Sequence, residues 1–300
     1  MALDFLISSE VLANGHTAHY AKLNGSEQPK FLIATRTAYG SNFGLYNTTA
    51  TPGLIYIPTD YVSEYGFWAY FINPTAMGES KGSFLCLNTY DRAKFTFSFM
   101  QYGAHVPNGD FVKLFRKLLA LPNASDYFPK LILKDSRIFY KGASEVLNQL
   151  ENDTSTQALM DYLNPTLSEI EDQELICSAR MVHWASNDAV HRQTQVETAV
   201  EHFKSNMVGY NKLYHLHGVP AKVCQVVCDI RHQGRGKNDE IIAALNTNGN
   251  YDLAFTNLCA IGAANYGSRI TTVRNTINSL LASGTFNKKY DSVTNSFVDL

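Results

Sequence analysis

Charge is scarce in this chain. Asp, Glu, Lys and Arg make up 17% of its 300 residues, and the formal net charge is -2. A balance this close to neutral builds no strong field of one sign, so no nucleic-acid partner is expected. Long apolar runs are missing too, and no membrane insertion is expected. The opening MALDFLISSEVLANGHTAHY has no basic leader and no long apolar core. It does not read as a secretory signal, and synthesis in the cytoplasm is expected. Cysteine is limited to Cys86, Cys177, Cys224, Cys228 and Cys259. An odd count at irregular spacing argues against a complete disulfide framework. Cys224 and Cys228 stand four apart with no second pair nearby, unlike a zinc ribbon, so buried free thiols in a reducing compartment are predicted. No His-Glu-x-x-His occurs, and His215 and His217 in YHLHG have no acid at a matching helical spacing. They are read as structural or surface groups, and neither a metal nor a cofactor is expected.

Hydrophobic residues reach 45%, enough to bury one large core or two modest ones. The 17 Tyr and 17 Phe far outnumber the 2 Trp. Tyr suits a surface that stacks on sugar rings, and equally an ordinary core and rim.

The first third, rich in Gly, Thr, Tyr and Asn as in TRTAYGSNFGLYNTTATPG at 35–53, shows no helical period and predicts short strands and ordered loops. GLIYIP at 53–58 reads as a short buried strand, and YVSEYGFWAYFI at 61–72 suits a strand or a buried helix. The texture turns helical near residue 107. Asn108 or Asp110 is placed to cap a helix whose stripe is Phe111, Leu114, Phe115, Leu118 and Leu119. Further helices are predicted at 155–163, 167–184, from 187 with Val196, Ala199, Val200, Phe203 and Met207 on one face, from Pro220 with Val223, Val226, Val227 and Ile230, at 238–246 and at 270–281. The predicted class is α+β and mainly α. A β- and loop-rich extension is assigned to 1–60 and a catalytic domain to 61–300.

The segment MGESKGSFLCLNTYDRAKFTFSFMQYGAH at 77–105 carries the chemistry. LCLN and KFTFSFM flank the turn TYDRA and predict a hairpin, with Phe95, Phe97 and Phe99 on one face. Glu79, beside Gly78 and ahead of that hairpin, suits the lip of a cleft, where desolvation would let a carboxyl keep its proton for a leaving oxygen.

Glu79-Ser80 followed by Ser98-Phe99-Met100-Gln101 resembles the lytic transglycosylase pattern of a catalytic Glu, then Ser, then a Gly-Leu-Met-Gln-like segment. Ser98 and Phe99 replace the usual Gly and Leu. VVCDIRHQGRG at 226–236 resembles a late helix of chitosanase-like muramidase domains, and AANYGSR at 263–269 contains Tyr266, similar to the late Tyr lining the transglycosylase cleft. The resemblance implies a lysozyme-like helical domain with a Glu at a helix end and a small β-hairpin beside the cleft. It does not extend to residues 1–60.

The implied activity is a muramidase cutting β-1,4 bonds of peptidoglycan with Glu79 as general acid. The alternatives are a lytic transglycosylase or chitosanase-like glycosidase and, in other classes, a cell-wall amidase or peptidase or a non-catalytic glycan-binding module. Asp91 is either the second carboxylate or a turn former. Thr96 either holds the attacking water or is an ordinary strand residue. Ser80, Gln101, Tyr102, His105 and Tyr266 are the candidate substrate contacts. Gln101 serves equally as a buried amide, and His105 equally as a cap for the next helix. Asp229 and Gln233, four apart, read as structural. Arg231, His232, Arg235 and Lys237 read as a solvated helix end, with acidic peptide stems as the alternative partner. Without an export signal, a bacteriolytic toxin or phage lysin reaching the periplasm or wall through a secretion system or phage lysis is expected, with an immunity protein as partner in the toxin case.

Overall fold

The computed structural model describes every residue except Met1, Thr49, Ala50, Pro52 and Ser144. Three of these, Thr49, Ala50 and Pro52, belong to the loop-rich stretch at 35–53, and that part of the expectation lies outside the described residues. The fold is α+β and mainly α, 46% helix and 20% strand. Four strands come first, β1 (Phe5–Val11), β2 (Thr17–Leu23), β3 (Phe31–Tyr39) and β4 (Asn42–Asn47). Helices α1 (Val62–Tyr65) and α2 (Phe67–Ser80) precede three short strands, β5 (Leu87–Asn88), β6 (Thr96–Phe97) and β7 (Tyr102–Gly103). Next come α3 (Asp110–Leu119), α4 (Ala124–Tyr127), β8 (Leu131–Lys134), β9 (Arg137–Lys141) and β10 (Leu147–Gln149). The rest is α5 (Gln157–Leu163), α6 (Asp172–Asn187), α7 (Ala189–Tyr214), α8 (Ala221–Gln233), α9 (Asn238–Leu245), α10 (Tyr251–Ala260), α11 (Ala263–Ala282), β11 (Lys288–Asp291) and β12 (Ser296–Asp299).

These elements form two compact units, each built from two stretches of chain. One holds Met1–Ile55 and Ser83–Thr198, the other Tyr56–Gly82 and Ala199–Leu300. This division differs from a single cut at 60/61. Helix α7 contributes 189–198 to the first unit and 199–214 to the second.

The first unit contains a seven-stranded antiparallel meander in the order β1 to β7. Phe5 pairs with Leu23 at one end of β1 and Val11 with Thr17 at the other. The hairpin expected after Glu79 is present, but its strands are two residues long: Leu87 faces Phe97, and Thr96 faces Gly103. Phe95, Phe97 and Phe99 are buried as predicted, yet Thr96 and Ser98 are buried as well, so the segment is covered on both faces. Phe84 meets Phe99 edge-on at 5.2 Å, and Phe115 meets Phe128 at 5.2 Å. Trp184 stacks on Tyr127 at 4.7 Å. Each fully buried ring contributes about 1.5–3 kcal/mol. On α3, Phe111, Leu114, Phe115 and Leu118 of the expected stripe are buried, and Leu119 is half-buried at its edge. Its N-cap is Gly109, with no side-chain cap. Asn108 instead accepts hydrogen bonds from Arg116 and Arg137. GLIYIP forms only the bridge Ile55–Ser83, because Pro58 lacks the N–H a longer ladder needs and starts a 3-10 turn.

In the second unit the ambiguous stretch 61–72 is helical, interrupted at Gly66. Its aromatics fill a core. Phe71 packs against Phe297 at 4.6 Å and edge-on against Phe203 at 6.2 Å, and Trp68 meets Phe297 at 5.2 Å. The apolar stripes expected on α7 and α8 are buried. Pro220 is the N-cap of α8. All five cysteines are buried, and none forms a disulfide with another described residue. Burial pushes the Cys177 thiol up to about 12 and the Cys259 thiol up to about 11. Among the described residues no helix is long and apolar enough to cross a membrane.

Candidate active site

Three segments singled out in the sequence meet within the second unit: the end of α2, the α8 segment through Gly236, and the start of α11. Thr75 and Glu79 are four apart on α2, and Gln225, Asp229 and His232 fall at i, i+4 and i+7 on α8, so each helix presents one polar face. Two glycines make the approach feasible. At Gly78, a Cβ would stand 2.8 Å from Val273 Cγ2 and 3.4 Å from Arg269 Cγ, so this position lets α11 lie against α2. Gly234 ends α8 in the left-handed conformation, φ 71°. The chain then turns Arg235 inward.

Asp229 is the centre of the cluster and is fully buried. Arg269 Nη1 donates to its Oδ1 at 2.9 Å and its Oδ2 at 2.8 Å. Arg235 Nη2 donates to Oδ2 at 3.1 Å, and its Nη1 donates to the Ile261 carbonyl at 2.6 Å. The Thr75 hydroxyl donates to Oδ1 at 3.0 Å and accepts from Gln225 Nε2 at 2.9 Å. Burial pushes the Asp229 carboxyl up, but Arg269, Arg235 and Thr75 outweigh it and hold the group below the usual carboxylate range. Burial lowers Arg235 although Asp229 opposes it. The guanidinium stays charged, held by Asp229 and the Ile261 carbonyl.

Arg269 extends the network outward. Its Nη2 donates to Glu79 Oε1 at 2.7 Å. Burial lowers Arg269, but Glu79 and Asp229 together raise it above its ordinary value. His232 Nε2 lies 3.4 Å from the same Glu79 oxygen. Burial, only partly opposed by Glu79, lowers His232, so its imidazole is neutral near pH 7. Both contacts fall on Oε1. Glu79 Oε2 takes no partner among the described residues, and the side chain is 14% exposed. Two cations, Arg235 and Arg269, balance two anions, Asp229 and Glu79. The sequence led us to expect a carboxyl desolvated at a cleft lip. The structure sets Glu79 beside a guanidinium and an imidazole instead.

The remaining candidates are distributed as follows. Ser80 is buried beside Glu79, and its hydroxyl donates to Ala76 O at 3.4 Å. Tyr266 lies half-buried in α11 at a non-helical φ/ψ of -125° and 22°, three residues before Arg269. Asp91, Thr96, Gln101, Tyr102 and His105 belong to the first unit. Asp91 forms its own turn: Oδ1 accepts from Ala93 N at 2.8 Å and Oδ2 from Asn88 Nδ2 at 3.2 Å. Thr96 is buried in β6, and its hydroxyl has no partner among the described residues. Gln101 adopts φ 54° and donates from Nε2 to Ser98 O at 3.2 Å. Tyr102 is buried in β7. His105 packs over Gly103 and caps no helix, and burial, with Arg92, lowers its pKa. His217 is exposed, and its Nδ1 accepts from Ser292 N at 3.2 Å.

Arg269 escaped the sequence reading although it ends the quoted AANYGSR. His232 and Arg235 were read as a solvated helix end, whereas both are mostly enclosed. The overlooked signal was the pair Gln225 and Asp229, polar residues four apart inside an apolar run, which require buried partners. No family model matches the sequence, and comparison with curated proteins and with solved structures finds no match.

Proposed function

We propose that the chain is a peptidoglycan glycan-strand hydrolase of lysozyme-like type with Glu79 as its general acid. One observation carries this reading: Oε1 of Glu79 is tied to Arg269, which is tied to buried Asp229, while Oε2 has no partner among the described residues in a side chain that is 14% exposed. An acid catalyst needs a fixed rotamer, a carboxyl oxygen without another partner, and a proton to donate; the geometry bears on the first two. The Arg269–Asp229 pair supplies the first, and Oε2 supplies the second. The chain order also fits the resemblance, with Glu79 in the last turn of α2 followed by the short strands β5 to β7. The roles assigned to Asp91, Thr96 and the other candidates belong to the same proposal.

The lytic transglycosylase reading has its own support. Both Asp91 carboxylate oxygens are engaged in its own turn. A reaction with one carboxylate, in which the substrate's own hydroxymethyl group closes the ring, needs no second one. Digesting purified peptidoglycan with wild type and Glu79→Gln, then analysing fragments by mass spectrometry, tests both readings. Reducing ends mark hydrolysis, anhydro ends mark transglycosylation, and new amino termini mark an amidase or peptidase. Equal release by both proteins refutes the role of Glu79.

A further inference from the structure

The first unit contains a hollow of about 590 Å³ that the proposed chemistry does not use. Its size lies within the roughly 300–1,000 Å³ of small-molecule sites. Tyr140 from β9 and Tyr162 from α5 form one wall, ring centroids 5.7 Å apart and planes inclined at 51°. Both rings are half-buried and so present apolar faces to the hollow. Lys130 stands at the rim, its Nζ 6.0 Å above the Tyr140 ring. Arg180 hydrogen-bonds the Tyr162 side chain, and its own Nε is buried without a partner among the described residues. Asp161, the acid at the rim, is already neutralised by Lys94. The hollow therefore offers two cations without an ion-pair partner among the described residues. Gln173 adds direction. Its Nε2 donates to the Tyr162 carbonyl at 2.8 Å, and its Oε1 takes no partner among the described residues. A free amide oxygen is an acceptor for an N–H.

We infer that this hollow binds a carboxylate-bearing, amide-rich wall fragment, an N-acylated sugar with an acidic peptide stem. The tyrosine wall takes the sugar ring or its lactyl and acetyl methyls. Gln173 Oε1 accepts an amide N–H, and Arg180 with Lys130 takes the carboxylate. A nucleotide would also suit the two cations with its phosphate and Gln173 with a base N–H, so uridine monophosphate is a comparison probe and only the proposed function favours the wall fragment over it. The chemistry of the ligand comes from the hollow, and only its source in the wall rests on the proposed function.

Titration calorimetry with N-acetylmuramyl-L-alanyl-D-isoglutamine tests the inference, with neutral chitotriose and uridine monophosphate as comparison probes. Wild type binds the muramyl dipeptide saturably and more tightly than either comparison probe. Arg180→Gln weakens binding about tenfold, the loss of one charge-assisted hydrogen bond. Lys130→Ala, at the exposed rim and harmless to the fold, weakens it about threefold. Glu79→Gln binds as wild type does, so failure of the hydrolase reading and failure of this site are read separately. The inference is overturned if wild type does not bind the dipeptide, if both variants bind it as wild type does, if chitotriose binds equally, or if uridine monophosphate binds more tightly.

Discussion

Each unit contains a buried carboxylate gripped by two arginines, and the two clusters differ in where they end. In the first unit Glu151 is buried. Arg116 Nε donates to it at 3.0 Å, Arg137 Nη1 at 3.2 Å and the Ile138 amide at 3.0 Å. Its outer partner, Asp153, is exposed and held by Arg137 and Asn108. In the second unit Asp229 takes the central place, and the outer carboxylate, Glu79, is mostly enclosed with one oxygen unengaged. Both clusters balance two cations against two anions. The first pins β9 and the segment after β10 to α3, and every oxygen of Glu151 is engaged. The second has one carboxylate oxygen to spare. A buried ionic knot is therefore not a site in itself; under the proposed function it is the unengaged atom at the edge of the second cluster that acts.

The largest effect should fall on both clusters alike. Asp229→Ala leaves Arg235 without a carboxylate and Arg269 with Glu79 alone, and Glu151→Ala leaves Arg116 without one and Arg137 with Asp153 alone. Each is predicted to cost about 3–5 kcal/mol by denaturant unfolding. A loss below about 1 kcal/mol at either position would break the parallel. Arg116 and Arg137 outweigh the burial that would raise Glu151 and hold it below the usual carboxylate range, as Arg269 and Arg235 do for Asp229. A depressed folded-state pKa gives stability that is present above the unfolded value and lost as pH falls through the folded one, so both clusters weaken together in acid.

Glu174 is the contrast that sharpens this rule. It is a fully buried carboxyl with no cation among its partners in the described residues, and burial, opposed by Thr89 and backbone donors, raises it to about 8. A raised pKa reverses the sign. Its contribution is intact below the unfolded carboxylate value and is lost as pH rises towards 8. Glu174→Gln should therefore be more stable than wild type at pH 8, the gap growing at up to about 1.4 kcal/mol per pH unit above the unfolded value and vanishing near pH 4. Thermal melts across that range check it, and a gap independent of pH contradicts it.

Smaller effects follow from packing and turns. Gly78→Ala places a methyl against Val273 and Arg269, with a predicted cost of about 1–3 kcal/mol and an activity loss larger than the melting shift accounts for. Asp91→Asn keeps the acceptor for Ala93 N but sets an amide NH2 against Asn88 Nδ2, losing that hydrogen bond at a predicted cost of about 0.5–1.5 kcal/mol. Its activity separates the two readings of the reaction: retained cleavage supports a single-carboxylate reaction, and loss restores Asp91 as the second group.

The legible part of the fold was the part with strong local period. The stripes of α3, α7 and α8 came straight from the sequence, because one apolar face every three or four residues survives any tertiary arrangement. Helix α10 escaped notice because only Ala254, Leu258 and Cys259 on it are buried. The β8–β10 sheet and the β11–β12 hairpin lack the alternation that marks a strand. The site was legible only as separate fragments. Glu79 and the segments around Asp229 and Tyr266 were picked out one by one, but Arg269 is 190 residues from Glu79 in the chain. Local reading treats charges after a helix as solvated, and only the folded chain shows Arg235 turned inward at Gly234.

Side-by-side assay of Glu79→Gln and Glu151→Gln tests the central claim most directly, reading wall cleavage per folded molecule together with the melting temperature. Glu79→Gln should melt less far below wild type than Glu151→Gln, because Arg269 keeps Asp229, and lose about a hundred- to ten-thousandfold in activity. Glu151→Gln should melt lower and cleave normally once corrected for the folded fraction. Wild-type cleavage by Glu79→Gln, or an equal activity loss per folded molecule in both variants, would contradict the account.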